Sequence, residues 1–285
     1  MTGVVQQTSR SLASRVRALV EADDVQLPPL PEVATRVQQI LSSDDPDMRE
    51  LDQLLSQDPA IVAALLRLAN SAVFGGLRRV EGLSTAIQRI GFRQLGAIVT
   101  GLSLKGHFSK GSGVKKELLG VLWDHSVTSG FAARAIALLV GADSEKAFLA
   151  GLLHDSGKVL VLTAVDKLEE HGFADPPTRE VLVELMDELH AELGYGVLTE
   201  WNLPEDVASI AKTHEDENAD SSDQVLACVK AANLITRKLG FHLQPDPEMS
   251  VVENPVIENL DLDDMTVATM MVEMEDHLLE MKQLF

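Results

Sequence analysis

The chain has little sulfur and little aromatic surface: one cysteine, one tyrosine and two tryptophans in 285 residues. A single cysteine forms no intrachain disulfide, which excludes a disulfide-stapled secreted scaffold and fits a reducing cytoplasm. Cys228 lies in the apolar run Val225-Leu226-Ala227-Cys228-Val229 and reads as core filling. Positive charge is also scarce, with 24 Lys and Arg against 44 Asp and Glu and a net charge of −20. The shortage is confined to one half. Residues 25–113 carry nine basic against eight acidic residues, whereas 114–285 carry twelve against thirty-three. Such a field repels phosphate backbones and anionic membranes over about 8 Å at physiological salt, so nucleic acid is not an expected partner of the acidic half. Apolar runs are interrupted by Arg134, Lys158 or Asp166 before reaching the roughly 20 residues that cross a bilayer, and Met1–Arg10 is polar. We expect a cytoplasmic chain with no membrane segment.

Strand-like alternation is nearly absent, and helical periodicity takes its place. Asp58 and Pro59 supply an N-cap acceptor and a first-turn proline, after which Ile61, Val62, Leu65, Leu66 and Ala69 recur at three- and four-residue intervals. The same spacing runs through Val33, Val37, Ile40 and Leu41, and through Met48, Leu51, Leu54 and Leu55. Pro28-Pro29, Pro31, Asp44-Asp45-Pro46 and Gly75-Gly76 mark the joins. Further helices are expected at roughly 8–21, 115–140, 143–165, 177–201, 204–215, 222–239 and 264–284. The last carries Val267, Met270, Met271, Met274, Leu278 and Met281 on one side, a methionine stripe that reads as core. Residues 215–223 and 243–256 are the internal segments most open to disorder. The polar segment Ser109-Lys110-Gly111-Ser112-Gly113 coincides with the change in charge. The predicted organisation is all-α and two-lobed: an extension over 1–24 that is one helix, a lobe over 25–113 and an acidic lobe over 114–285.

The strongest chemical signal is His154-Asp155 in Ala150-Gly151-Leu152-Leu153-His154-Asp155-Ser156-Gly157-Lys158, placed late in an apolar helix. Burying both costs several kcal/mol unless each finds a partner or a metal. Twenty-nine residues earlier stands His125, and His190 and His214 follow. Two imidazoles and a carboxylate from neighbouring helices can bind a divalent transition metal given one further ligand. For His190 and His214 the plainer reading is partly exposed histidines near helix ends. Lys158 is a candidate phosphate contact, against the plainer reading of a solvated helix-terminal charge. His107, His171, His242 and His277 read as surface or loop residues.

These histidines resemble the HD superfamily of metal-dependent phosphohydrolases. Leu27-Pro28-Pro29-Leu30-Pro31, Asp58-Pro59-Ala60-Ile61, Leu65-Leu66-Arg67-Leu68-Ala69-Asn70-Ser71 and Ala86-Ile87-Gln88-Arg89-Ile90-Gly91 are similar to segments of the HDOD family, HD-related output domains. The resemblance runs over about 25–285. It implies an all-helical fold with an HD-like second lobe, bacterial origin and a role in signal transduction. Beside the related HD-GYP phosphodiesterases, His190-x-x-x-Gly194 and Lys158 match, but an adjacent His-His pair reads Thr213-His214 and a late metal-binding aspartate falls on Asn233. A neutral amide at Asn233 removes one negative charge from a site built for a dication, leaving Asp155 its only carboxylate, and Thr213 deprives a second ion of an imidazole.

The resemblance therefore implies a weak or vestigial site of His125, His154, Asp155 and Asn233, with His190 and His214 as further candidates and iron, manganese or zinc as the ion, none being required. A hydrogen-bonded cluster with histidine nitrogens donating to Asp155 stays open beside it, and an active hydrolase is the weakest reading. The expected role is a regulatory module that works through protein partners, without efficient catalysis. Two alternatives stand: a phosphohydrolase acting on cyclic di-nucleotides or other phosphoesters, and a DNA-binding regulator using residues 82–100 as helix, Gly91, helix, with Arg78, Arg79, Arg89 and Arg93 nearby.

Overall fold

The computed structural model describes residues 2–22, 24–25, 29–43, 45–74, 78–109, 112–172, 176–220 and 222–284, with side chains described outside 2–10, 107, 109 and 277–284. Leu27, Pro28, Asp44, Gly75, Gly76, Lys110 and Gly111 lie outside the described residues, as do the side chains of His107, His277, Leu278 and Met281. Among the described residues the chain is helical with no strand. The helices are α1 (Thr2–Glu21), α2 (Glu32–Leu41), α3 (Met48–Leu55), α4 (Pro59–Ala69), α5 (Leu83–Ile90), α6 (Phe92–Leu104), α7 (Gly113–Val140) and α8 (Ser144–Leu153). They continue with α9 (Ser156–Glu170), α10 (Arg179–Glu200), α11 (Glu205–Thr213), α12 (Gln224–Lys238), α13 (Pro255–Asn259) and α14 (Asp264–Leu284).

Local chemistry accounts for many of the starts. Asp58 accepts from the backbone N–H of Ala60 and Ile61, and Asp47, Asp143, Asp223 and Asn254 cap α3, α8, α12 and α13 in the same way. The stretch expected as one helix over 143–165 is two, because the chain turns at His154-Asp155. Ser144–Glu170 is long and apolar enough to cross a bilayer, yet it is broken at that turn and lies mostly inside the molecule. The short α13 is an element that periodicity did not reveal. Residues 243–256 are held by buried Leu243 and Val251 and by Lys238, whose ammonium donates to the Pro247 and Met249 carbonyls.

The buried residues form one continuous core from Leu12 to Met274. Within it α7 is the axis: α8, α12 and α14 pack on it, and α6 packs on α8. The leading helix α1 lies on α9 and α10 through buried Leu12, Ala13 and Val16. Cys228 is buried, with its thiol pushed up to about 12 by burial, and the described part of the methionine stripe is core at Val267, Met270 and Met274. The helix–Gly91–helix unit exists, with Gly91 at φ 89°, but α6 packs between α2 and α8 and buries Leu95, Ile98, Val99 and Thr100. The helix that would have to enter a major groove is therefore core, and Arg89 is tied to the carbonyls of Ala69 and Arg78.

Candidate metal centre

Two close helix contacts, each made by a pair of glycines, bring the histidines together. A Cβ on Gly151 of α8 would stand 2.8 Å from the Ser129 carbonyl of α7, and one on Gly130 would stand 3.1 Å from the Phe148 carbonyl. These glycines let α7 and α8 approach closely enough to bring His125 beside His154. A Cβ on Gly157 would fall 2.0 Å from the His190 carbonyl, and Gly194 faces the same contact, so α9 and α10 also meet backbone to backbone. His190 thereby arrives opposite Asp155, and His214 joins from the C-terminal end of α11. At the α8–α9 turn Asp155 occupies the position before α9, yet its carboxylate makes no capping bond and belongs to the histidine cluster instead.

His125, His154, Asp155, His190 and His214 are each 4% exposed or less. Every imidazole is fixed through Nδ1, which donates to a backbone carbonyl: Phe241 at 2.7 Å, Gly151 at 2.8 Å, Met186 at 2.9 Å and Ala211 at 2.9 Å, respectively. The four Nε2 atoms then converge in two pairs, His125 with His154 at 3.2 Å and His190 with His214 at 3.3 Å. Asp155 stands between the pairs. Its Oδ2 is 3.3 Å from His125 Nε2 and 3.6 Å from His154 Nε2, and its Oδ1 is 3.6 Å from His190 Nε2 and 3.7 Å from His214 Nε2.

Burial pushes His154 down to about 3, His190 to about 4 and His214 to about 3, so these rings are neutral at physiological pH. With Nδ1 holding the proton, the Nε2 of each is a lone pair. Asp155 stays ionised, its carboxyl held well below the usual range against the cost of burial chiefly by the Lys158 ammonium. Its Oδ1 has no hydrogen-bond partner among the described residues. Lone pairs of His190 and His214 and an unpartnered carboxylate oxygen thus face one another in a buried volume, an arrangement that repels itself unless a cation lies between. The donor set, imidazoles braced by backbone carbonyls plus a carboxylate, fits iron, manganese or zinc. Two overlapping sets can hold an ion: His125, His154 and Asp155, and Asp155, His190 and His214.

Several expectations need correction. His190 and His214 are not partly exposed; they complete the second set, in which His214 supplies the imidazole that Thr213 seemed to remove. Nor is Asp155 the only carboxylate near the centre, since Glu215 Oε2 is 3.7 Å from His190 Nε2. Lys158 is not a solvated terminal charge: it lies in the first turn of α9, is 2% exposed, and donates to Asp155 Oδ2 at 2.7 Å. Asn233 Oδ1 is buried without a hydrogen-bond partner among the described residues. His242 is not a plain loop residue. Its half-buried ring meets that of His125 edge-on at 4.9 Å, and burial pushes it down to about 3. Glu215 stands next to His214 in sequence but no spacing marks it as a ligand, and His242 reaches the centre through tertiary folding alone.

The segment carrying His242 is fastened against the centre. The Phe241 carbonyl accepts from His125, the Leu243 carbonyl from Arg179 at 3.0 Å, and the Gln244 amide donates to Asp187 at 3.1 Å. Burial raises the carboxyls of Asp187 and Glu215, with the Asp155 charge adding to it in both.

The sequence model of the HDOD domain matches residues 27–217. An uncharacterized protein of Treponema pallidum (strain Nichols) is 28% identical over 247 residues, covering 82% of this chain and 46% of that protein. The chain thus spans about half the length of the curated relative it matches. Among solved structures, a candidate metal-dependent phosphohydrolase from Shewanella amazonensis SB2B shares the fold with a TM-score of 0.79 at 22% identity, covering 98% of this chain and 99% of that one. An HDOD domain protein with unknown function from Geobacter sulfurreducens gives 0.72 at 21% identity, covering 97% and 99%.

Proposed function

This chain belongs to the HDOD family, and on that premise we propose that it is a bacterial cytoplasmic signalling output module whose second lobe holds a transition-metal dication in a closed histidine–aspartate centre, and which acts on a protein partner rather than by turnover. One observation carries the reading. The acceptor atoms of four histidines and Asp155 converge on side chains that are 4% exposed or less. Convergence favours an ion, and burial disfavours a phosphoester beside it.

A bound iron, manganese or zinc ion would supply Lewis acidity and charge stabilisation. The chain's own residues bind and shield. His125, His154, His190 and His214 offer Nε2, their Nδ1 protons being spent on carbonyls. Lys158 neutralises one oxygen of Asp155. Phe241, His242 and Leu243 lie along the His125 side, the Phe241 carbonyl accepting from His125, the His242 ring edge-on to it and the Leu243 carbonyl accepting from Arg179. In-line attack on phosphorus needs the ester against both ion and nucleophile, and this closed arrangement would have to open to admit it. The acid half, with thirty-three acidic against twelve basic residues, disfavours nucleic acid and anionic membrane as partners. An ion that binds only the folded chain stabilises it by about 2.7 kcal/mol at a hundred times its Kd, so occupancy would brace the helices that meet at the centre.

The test is turnover. Full-length chain loaded in turn with Fe²⁺, Mn²⁺ and Zn²⁺ is offered cyclic di-nucleotides and a generic phosphodiester. No hydrolysis above that of Asp155→Ala is expected; hydrolysis that disappears in both His154→Ala and Asp155→Ala would replace this reading with a phosphohydrolase.

A further inference from the structure

The two sides of Asp155 are not equivalent, and the difference bears on where an ion sits. Given the metal reading above, on which this inference rests, we propose that the preferred ion position is the side formed by Asp155 Oδ1, His190, His214 and Glu215, with Glu215 as a fourth ligand, rather than the side of His125 and His154.

Availability is the first argument. Asp155 Oδ2 already accepts from the Lys158 ammonium at 2.7 Å, so an ion beside His125 and His154 would compete with a buried cation. Oδ1 has no hydrogen-bond partner and can ligate without displacing anything. The second argument is a further ligand. Three-atom spacing suits an ion on either side, being 3.2, 3.3 and 3.6 Å beside His125 and His154, but the side of His190 and His214 also has a second carboxylate within reach. Ligand atoms about 2.0–2.1 Å from a tetrahedral ion lie about 3.3 Å from one another. His190 and His214 Nε2 are 3.3 Å apart, and Asp155 Oδ1 is 3.6 and 3.7 Å from them. Glu215 Oε2 and Oε1 are 3.7 Å from His190 Nε2 and 4.0 Å from His214 Nε2, so a small inward movement of one side chain completes the set.

Charge is the third. Two carboxylates and two neutral imidazoles match a dication, whereas the other side offers Asp155 already paired with Lys158. Glu215 also differs from the other three in position: its side chain is 47% exposed while theirs are 2% or less. It is the one ligand an arriving ion can meet from solvent, and its inward movement would seal the ion in.

Titration of the metal-free full chain with Zn²⁺ against a competing chelator tests this, with Co²⁺ absorption as a second readout of ligand geometry. One tight ion per chain is expected. Glu215→Gln should weaken it at least tenfold and change the Co²⁺ spectrum, Glu215→Asp should fall between, and His125→Ala should weaken it less than Glu215→Gln does. Binding in Glu215→Gln within twofold of wild type with an unchanged Co²⁺ spectrum, or a folded His125→Ala chain that loses more affinity than Glu215→Gln, overturns the assignment. Wild-type chain that takes up no Zn²⁺ would instead sink the metal reading itself, so the two failures are distinct.

Discussion

Lys158 Nζ lies 2.7 Å from Asp155 Oδ2, one turn away along the chain, with both side chains 2% exposed. A buried pair of this kind contributes little compared with an apolar replacement of both partners, but removing one partner strands the other charge. In the metal-free chain Lys158 is thus what keeps Asp155 ionised inside the core.

Lys158→Met should therefore destabilise the metal-free protein by about 3–5 kcal/mol. Zn²⁺ should restore most of that loss, because a dication replaces the ammonium beside Asp155. Urea unfolding with and without the ion measures both. A loss under about 1 kcal/mol without metal, or no recovery with it, would contradict the assignment of Lys158 as the counter-charge.

Acid should act through the same residues. His154, His190, His214 and His242 are pushed down to about 3, 4, 3 and 3 when folded, whereas an unfolded histidine titrates near 6.5. The unfolded state binds the extra protons, so stability is fully present above about 6.5 and declines as pH falls towards 4. Asp155, held well below its usual value, adds a further loss below about 4. Each unit of displacement corresponds to about 1.4 kcal/mol, so a decline of several kcal/mol is expected between pH 7 and 4.5. Metal-free chain whose urea midpoint stays flat across that interval would show that the rings are not buried neutral.

The glycine contact between α9 and α10 makes a sharper structural test. A methyl group at Gly157 would stand 2.0 Å from the His190 carbonyl, a backbone atom that yields only if the helices separate. Gly157→Ala should cost several kcal/mol, on the scale of severe overpacking, and should weaken metal binding because His190 moves away from Asp155. Gly196, two residues beyond Gly194 on the exposed face of α10, has nothing within 4 Å. Gly196→Ala should stabilise by about 0.5–1 kcal/mol through helix propensity alone. Equal effects of the two substitutions on thermal unfolding would contradict the close approach.

Much of this arrangement was legible before folding, for identifiable reasons. Periodicity and turn residues marked α2, α3 and α4, with a cap legible at Asp58 for α4, and His125, His154 and Asp155 stood out as polar residues in apolar surroundings. The α8–α9 turn was hidden because hydrophobic spacing continues across it from Phe148 to Val165. Lys158 was misread through its exposed-type chemistry, although Asp155 three residues earlier was a visible partner. His242 and Glu215 gave no pattern of their own. They join the centre because the segment after α12 folds back on His125 and because α11 ends beside α10, contacts that sequence separation conceals.

The most direct measurement is the metal content of full-length chain purified without chelator, compared with Asp155→Ala prepared identically and shown to be folded. The account predicts at least one iron, manganese or zinc ion per wild-type chain and less than a tenth of that in Asp155→Ala. Equal content in the two proteins, or wild-type chain that stays metal-free even after incubation with each ion, would contradict it.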